Sequence, residues 1–219
     1  MKIAILGASG LVGKEILRQS LEDPFFDSVS IFVRKSAGII HPKLKEYITD
    51  YSDLQSVSEG FEADAVLCAL GTTIKKAGSE DNFRKVDFDF VVNSARIAKQ
   101  KNAEKFLVVT ALGSDPDSFI FYNRVKGETE EELKKVGFKF LGIFRPSLLL
   151  GNREEERPGE KAAEFFRGLF SFAFIGFLAK YRPIQAATVA KAMLQAAAEN
   201  STKLVKIWES DEIEIIGSV

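Results

Sequence analysis

The stretch KIAILGASGLVG, residues 2–13, decides the fold of this chain. Its first five residues form a short apolar run typical of a buried strand, and a helical pattern of apolar residues follows at 11–21. Between them stand Gly7, Gly10 and Gly13, a spacing that permits a tight turn and close helix–strand packing. Such a turn aims the first backbone N–H groups of the helix at one point, which indicates a site for the pyrophosphate of a dinucleotide. A glycine-bearing turn that binds nothing is the alternative.

Apolar segments alternate with helical patterns along most of the chain. Strands are predicted at residues 2–6, 29–33, 44–48, 65–70, 106–110 and 138–144, and helices at 11–21, 82–101 and 118–136. This alternation predicts βαβ units and a Rossmann-type α/β fold with a doubly wound parallel sheet. After residue 146 we predict a helix at 186–198 and two late strands at 203–208 and 212–216. We expect a single domain over residues 1–219, in which about 147–219 cap the substrate side of the sheet.

The composition excludes several classes of protein. The chain has 219 residues, 46% of them hydrophobic, and a formal net charge of −1, so no strong field attracts nucleic acid or an anionic membrane. With one cysteine, Cys68, and one histidine, His41, we expect no metal site and no disulfide framework. The Phe-rich run FFRGLFSFAFIGF at 165–177 is too short for a membrane span and is interpreted as a buried helix or the wall of an apolar pocket. Because the first residues run directly into a strand, without room for a signal peptide, the expected location is cytoplasmic. A monomer and a homodimer both remain open.

The end of the second predicted strand selects the dinucleotide. An acidic residue there binds the ribose 2′-hydroxyl of NAD, whereas basic residues accommodate a 2′-phosphate. Here the strand ends in Arg34-Lys35, which favours NADP(H) over NAD(H). A solvated basic pair is the alternative. Asp50, after the third strand, is either an adenine contact or a surface residue, and Gly71, after the fourth, is a candidate cofactor contact.

The candidate catalytic residues are Tyr122 and Lys126. Four positions apart on a helix, they share one face, and the lysine ammonium favours the phenolate form of the tyrosine. The pair begins the helix after the fifth strand, beside the edge where a nicotinamide would lie. Thr110, at the end of that strand, is the candidate hydroxyl for orienting a substrate carbonyl, although a structural role is an equally good interpretation. Ser114 is the other hydroxyl nearby.

Together these motifs resemble the short-chain dehydrogenase/reductase superfamily in its atypical branch, and more closely the Tat-interacting oxidoreductase-like proteins. The shared residues span nearly the whole chain and lie at 7–13, 70–73 (LGTT), 76–78 (KAG), 125–128 (VKGE), 144–146 (FRP) and 157–160 (RPGE). The resemblance implies NADP(H) as the cofactor and Tyr122 as proton donor, with Lys126 on the ribose. The implied cofactor contacts are Ser9, Gly10, Leu11, Val12, Arg34, Lys35, Leu70, Gly71, Leu149 and Arg157.

Two functions follow from these motifs. The first is an NADP(H)-dependent oxidoreductase that reduces a small apolar carbonyl or enone with the Tyr122–Lys126 pair. The second is a non-catalytic NADP(H)-sensing protein, in which the loop at 151–160 orders around the cofactor and changes a partner surface. The uncertain position of Thr110 favours the sensor, whereas the presence of both Tyr122 and Lys126 favours the enzyme.

Overall fold

A computed structural model describes residues 1–151, 176–199 and 204–218. The strands in these ranges are β1 (Lys2–Leu6), β2 (Ser28–Val33), β3 (Leu44–Ile48), β4 (Ala65–Cys68), β5 (Lys105–Val109), β6 (Phe140–Arg145), β7 (Leu149–Leu150), β8 (Ile184–Gln185) and β9 (Val205–Glu209). Seven of them form one parallel sheet in the order β3-β2-β1-β4-β5-β6-β9, and β7 pairs with β8 separately. The predicted Rossmann-type doubly wound sheet is confirmed.

Helices cover both faces of the sheet. They are α1 (Leu11–Glu22), α2 (Ile74–Ala77), α3 (Glu80–Arg84), α4 (Phe90–Gln100), α5 (Phe121–Val136), α6 (Ala186–Ala198) and α7 (Ser210–Ser218), with 3₁₀ segments at Gln55–Phe61 and Gly176–Tyr181. Buried residues of α1, α6 and α7 pack into one core on one face, and those of α4 and α5 into a second core on the other. The central strands serve both cores: in β1, Ile3 and Ile5 face the first, Ala4 and Leu6 the second. This explains why β1, β4 and β5 are nearly continuous apolar runs rather than alternating ones.

The strand order reverses between β1 and β4. Leu6 pairs with Cys68, so the two strands end side by side at the carboxyl edge of the sheet. In open α/β sheets the ligand crevice lies at this point, because the connections from the two strands leave toward opposite faces. The fold therefore places the glycine-rich turn after β1 next to the segment that follows β4.

The helical region predicted at 82–101 is interrupted. A π-helical turn, Lys85–Asp89, joins α3 to α4 and changes which residues face inward. Phe83, Asp87 and Val91 are all buried, so a carboxylate lies between two apolar residues on the inward face. Such π-turns inside helices frequently occur at functional sites.

The strand predicted at 212–216 is wrong, because these residues belong to helix α7. The alternating sequence EIEII suggested a strand, but Ile213 and Gly217 are buried four positions apart while Ile215 is exposed. The Glu212 carboxylate accepts a hydrogen bond from the Glu209 backbone N–H (3.1 Å), which caps the helix start. A Cβ on Gly217 would lie 2.3 Å from the Thr188 carbonyl oxygen, so α7 packs closely on α6.

Two segments of the C-terminal third join the central sheet and its covering helices. β9 pairs with β6, and α6 shares its core with α1. Most of the Phe-rich run at 165–177 lies outside the described residues, and the substrate-side cap predicted at 147–219 stays a prediction.

Candidate cofactor and active site

The glycine-rich turn after β1 is shaped by two positions that tolerate no side chain. Gly7 has φ +79°, and a Cβ there would lie 2.6 Å from the Ala69 carbonyl oxygen. A Cβ on Gly13 would lie 2.0 Å from the Gly7 carbonyl oxygen. The first glycine thus brings β1 against the chain that follows β4, and the third brings α1 against the turn itself. Both roles match the predicted pattern.

The start of α1 offers backbone donors to a ligand. Gly10 is the N-cap and supplies no side-chain acceptor, and its own N–H donates to the Gly7 carbonyl oxygen (2.9 Å). The next amides, of Leu11 and Val12, have no intrahelical acceptor because they lie in the first turn. Ser9 and Gly10 are exposed at this edge. A cradle of amides at the positive end of a helix fits the pyrophosphate of a dinucleotide.

The basic pair predicted to select the cofactor lies directly after β2. Arg34 and Lys35 are both exposed. A cleft of about 700 Å³ runs between α1 and the loop after β2, and Ser9, Lys14 and Lys35 are among its lining residues. Cationic side chains thus stand beside the exposed turn that begins the cradle.

Asp50 lies in an exposed turn two residues after β3. Its carboxylate accepts from the Ser52 backbone N–H (2.9 Å) and from the Ser52 hydroxyl (2.5 Å). These hydrogen bonds hold the pKa of Asp50 below its ordinary value. Tyr51, with φ +70°, turns inward and donates its hydroxyl to the Phe32 carbonyl oxygen (2.9 Å). The adenine contact predicted for Asp50 stays a prediction.

Tyr122 and Lys126 lie in the first turns of α5, as predicted. Tyr122 is half-buried, with its ring 5.4 Å from that of Phe83. Lys126 is buried, and its ammonium lies 2.7 Å from Oδ1 of Asp87. Burial lowers the pKa of Lys126, but the charges of Asp87 and Tyr122 and the hydrogen bond to Asp87 together raise it above its ordinary value. The ammonium therefore stays charged inside the protein.

Sequence reasoning missed Asp87. Its side chain is fully buried, and its Oδ2 accepts from the Thr72 backbone N–H (2.9 Å). The single proton of the Thr129 hydroxyl is shared between the carbonyl oxygens of Val125 (2.8 Å) and Asp87 (3.0 Å). The signal in the sequence was a carboxylate on the same helical face as the apolar residues Phe83 and Val91. Gly71 lies against the same group: a Cβ there would be 3.3 Å from Asp87 Oδ1 and 3.6 Å from Lys126 Nζ.

Thr110 faces a second buried carboxylate. Its hydroxyl donates to Oε1 of Glu130 (2.7 Å), and Arg145 binds both oxygens of the same carboxylate, at 3.0 and 2.5 Å. The hydroxyl of Ser114 donates to the Ala111 carbonyl oxygen (2.7 Å). Both hydroxyls thus have acceptors within the protein, and within the described ranges neither forms a hydrogen bond to Tyr122.

The remaining predicted contacts are apolar or undescribed. Leu70 and Leu149 are half-buried, and each packs against one of the two cores at the carboxyl edge. Arg157 lies outside the described residues, as does most of the loop at 151–160. Within the described ranges, every helix falls short of the length and apolarity that a bilayer span requires.

Solved structures share this fold. The enzyme WbmH of Bordetella bronchiseptica, in complex with NAD+, matches with a TM-score of 0.70 at 18% identity, over 99% of this chain and 79% of that one. A UDP-glucose 4-epimerase of Thermotoga maritima, with UDP-glucose, matches with a TM-score of 0.70 at 14% identity, over 100% and 82%. At these identities the likeness concerns the fold alone.

Relatives in sequence correct one prediction. Protein HTATIP2 of Rattus norvegicus is 32% identical over 219 residues, covering 98% of this chain and 88% of that protein. The mitochondrial protein FMP52 of Candida albicans is 31% identical over 223 residues, covering 99% and 95%. The prediction of a cytoplasmic location is contradicted, because FMP52 proteins of several fungi are named as mitochondrial.

A family model described as NAD(P)H-binding matches residues 7–200, which include the glycine-rich turn, the basic pair and the Tyr122–Lys126 pair. The resemblance inferred from the motifs is confirmed by this match and by relatives that align with nearly the whole chain. The protein therefore belongs to the NAD(P)H-binding family, and its structure is a Rossmann fold.

Proposed function

We propose that the protein is an NADP(H)-dependent reductase of a small apolar carbonyl or enone. The observation that carries this proposal is the position of Lys126. Its ammonium is buried beside Gly71, one helical turn from Tyr122 and close to the point where the strand order of the sheet reverses. A lysine in that place can bind a ribose hydroxyl and stabilise a phenolate at once.

Each part of the site has one role in this reaction. The amides of Leu11 and Val12 bind the pyrophosphate, and Gly71 lets the cofactor approach Lys126. NADPH, when bound, supplies the hydride to the substrate. Tyr122 donates a proton to the substrate oxygen, and Lys126 stabilises the phenolate that remains. The half-buried Leu70 and Leu149 offer apolar surface beside the crevice.

The preference for NADP(H) is supported by Arg34 and Lys35. Both are exposed after β2, beside the glycine-rich turn, where folds that select NAD hold an acidic residue. A guanidinium and an ammonium can each make charge-assisted hydrogen bonds to a 2′-phosphate. NADH has no such group, so the same residues add little to its binding.

The cofactor test is a titration with NADPH and NADH, followed by fluorescence. The double variant Arg34→Ala/Lys35→Ala should bind NADPH about 100-fold more weakly, since each charged hydrogen bond contributes roughly a factor of ten or more. Its affinity for NADH should stay within about threefold of the wild type, as expected for a group that NADH lacks. The matched control is Lys134→Ala/Lys135→Ala, an adjacent basic pair in the last turn of α5, at the opposite edge of the sheet. Equal losses for both cofactors would contradict the assignment.

The catalytic test is Tyr122→Phe, which removes one hydroxyl and keeps the ring packed on Phe83. NADPH oxidation with a panel of small apolar aldehydes, ketones and enones should fall at least about 100-fold, as expected for loss of a general acid. NADPH affinity should change little. Tyr47→Phe, on β3, is the control, because Tyr47 packs on Phe32 away from the crevice. Unchanged turnover in Tyr122→Phe would remove the tyrosine from the mechanism.

A second candidate, an NADP(H) sensor without catalysis, is favoured by one observation. The Thr110 hydroxyl donates its proton to Glu130, so it cannot orient a carbonyl while that bond stands. A sensor would bind NADPH, oxidise it with no substrate of the panel, and bind a protein partner with an affinity that depends on the cofactor. Oxidation that Tyr122→Phe abolishes would reject the sensor.

A further inference from the structure

The cleft between α1 and the loop after β2, hereafter the α1 cleft, is longer than a cofactor phosphate requires. It has a volume of about 700 Å³ and extends from Ser9, before the helix begins, to Glu22, the last residue of α1. The 12 residues of α1 span about 18 Å. The proposed dinucleotide lies along the carboxyl edge of the sheet, whereas α1 runs back from that edge toward the amino edge. The cofactor would therefore fill only the end near Ser9.

Apolar side chains form both walls of the longer part of the α1 cleft. Leu17 and Leu21 of α1 line one wall, and Ala37 and Ile39 of the loop after β2 line the other. Ile39 keeps 45% of its surface exposed, while its neighbour Ile40 is fully exposed and does not line the cleft. Ligand pockets have volumes of about 300–1,000 Å³ and predominantly apolar walls. The α1 cleft therefore has the size and the walls of a ligand site.

The loop that forms the outer wall is anchored at both ends. Near its start, the Ser36 hydroxyl donates to the Glu46 carboxylate on β3 (2.6 Å). Near its end, the Lys43 ammonium donates to the Asp23 carbonyl oxygen, just beyond α1 (2.7 Å). These hydrogen bonds connect the loop that carries Ile39 to two other elements of the fold.

The charges along the α1 cleft favour an anion at one end. Its described lining residues include three cations and one carboxylate, namely Lys14, Arg18, Lys35 and Glu22. Arg18 forms ion pairs with Glu22 and with Glu15 on α1, both at 3.0 Å, so these charges compensate one another. Lys35, two residues after β2, places a positive charge at the end of the cleft that begins at Ser9.

We propose that the α1 cleft binds a long-chain carboxylate, with its head at Lys35 and its chain along Leu17, Leu21 and Ile39. Charge complementarity at one end and apolar walls over the rest favour this occupant over an anion without a chain. The head would lie where the proposed 2′-phosphate of NADPH lies, so the two ligands should compete. This competition rests on the proposed function, whereas the binding of the carboxylate does not.

The direct test measures the binding of dodecanoate to the cofactor-free protein. Isothermal titration calorimetry is run at two temperatures, because burial of apolar surface changes the heat capacity. Each methylene that leaves water contributes a factor of about four, so octanoate, which has a shorter chain, should bind at least about tenfold more weakly. Dodecyltrimethylammonium, with the same chain and the opposite charge, should also bind at least about tenfold more weakly. Equal affinity of dodecanoate and either comparison compound, or no binding of dodecanoate, would overturn the proposal.

The matched variants for the chain are Ile39→Gln and Ile40→Gln, which make the same change at adjacent positions of one loop. Ile39→Gln removes part of an apolar wall and should weaken dodecanoate binding about fivefold or more. Ile40→Gln changes a fully exposed side chain that does not line the cleft, and it should alter binding less than about twofold. Equal affinities of the two variants would contradict the position of the chain.

The variant for the head is Lys35→Gln. It should weaken dodecanoate binding about tenfold, as expected for one charge-assisted hydrogen bond. Lys75→Gln, which neutralises an exposed lysine on α2, is the control and should bind dodecanoate like the wild type. The same affinity in both variants would exclude Lys35 as the partner of the carboxylate.

A membrane surface is the competing explanation, because Ile40 is fully exposed on the same loop. Sedimentation with phosphatidylglycerol vesicles separates the two. Vesicle binding that Ile40→Gln abolishes and Ile39→Gln preserves, without binding of monomeric dodecanoate, would replace the cleft by a lipid-binding loop. Dodecanoate binding without sedimentation supports the cleft.

Competition with the cofactor is followed by NADPH and NADH fluorescence. At about ten times its dissociation constant, dodecanoate should weaken NADPH binding about tenfold and NADH binding less than about threefold. Equal effects on the two cofactors would show that the carboxylate and the 2′-phosphate do not share Lys35. A protein that binds dodecanoate but no NADPH would reject the proposed function and leave the α1 cleft as a carboxylate site.

Discussion

The glycine-rich turn and the wall of the crevice that α5 forms differ in whether their polar groups have partners within the protein. The turn leaves the amides at the start of α1 without a side-chain cap, so a ligand can take the place of one. In the wall, the buried polar side chains bind each other: Lys126 with Asp87, and Thr110 with Glu130 and Arg145. One region is made of open backbone donors, the other of a network closed by the protein itself.

This difference decides what could be predicted from the sequence. The turn depends on local geometry, since a positive φ at Gly7 and the contact between Gly13 and Gly7 concern neighbouring residues. Glycines at a fixed spacing after an apolar run therefore predicted it. The wall joins residues far apart in the chain, and no spacing pattern signals that Glu130 will meet Thr110 or that Asp87 will meet Lys126.

The first prediction, with the largest expected effect, concerns the turn. Gly13→Ala should lower the free energy of unfolding by about 3 kcal/mol, because its Cβ would lie 2.0 Å from the Gly7 carbonyl oxygen and the backbone must move. NADPH binding should be lost as well. Urea unfolding and a cofactor titration measure the two effects.

Gly10→Ala is the matched comparison within the same turn. A Cβ there would lie 3.2 Å from the Gly7 carbonyl oxygen, a contact that a small shift relieves. It should affect stability much less than Gly13→Ala does. Equal stability of the Gly13→Ala protein and the wild type would show that the turn is looser than the geometry indicates.

The helices also show which elements a sequence pattern can predict and which it cannot. Helix α6 was predicted at its observed bounds, because its apolar residues repeat with a clear helical period. Helix α7 was predicted as a strand, because the sequence EIEII at 212–216 fits the period of a strand as well as that of a helix until its packing against α6 is known. The π-helical turn was missed because it is an insertion in the hydrogen-bond register, which leaves no mark on composition.

The second prediction tests whether the wall is closed. Thr110→Val keeps the shape of the side chain and removes its hydrogen bond to Glu130, which should cost about 2 kcal/mol of unfolding free energy, as for hydrogen bonds to charged groups. Turnover of the best substrate should change less than about threefold, because a hydroxyl bound to Glu130 adds nothing to transition-state binding. Thr110→Ser should recover most of the stability. A loss of turnover above about 100-fold in Thr110→Val, with Thr110→Ser active, would show that the hydroxyl leaves Glu130 for the substrate.

The third prediction, the smallest, uses Cys68, which lies between the two regions at the end of β4. Burial raises the pKa of the Cys68 thiol from 9.0 to about 12, and a backbone hydrogen bond from Leu70 and the Lys126 charge oppose this in part. The folded state thus keeps a proton that the unfolded chain releases, so this contribution to stability is complete below about pH 9 and declines as the pH rises toward 12. Between pH 8 and pH 10 the wild type should lose about 1.4 kcal/mol more than Cys68→Ala in urea unfolding under reducing conditions. Burial, the main cause of the raised pKa of Tyr51, is common to both proteins, so most of the tyrosine's contribution cancels in the difference. Identical losses would mean that the thiol ionises as easily in the folded protein as in the unfolded chain, and that water reaches the carboxyl end of β4 behind the closed wall.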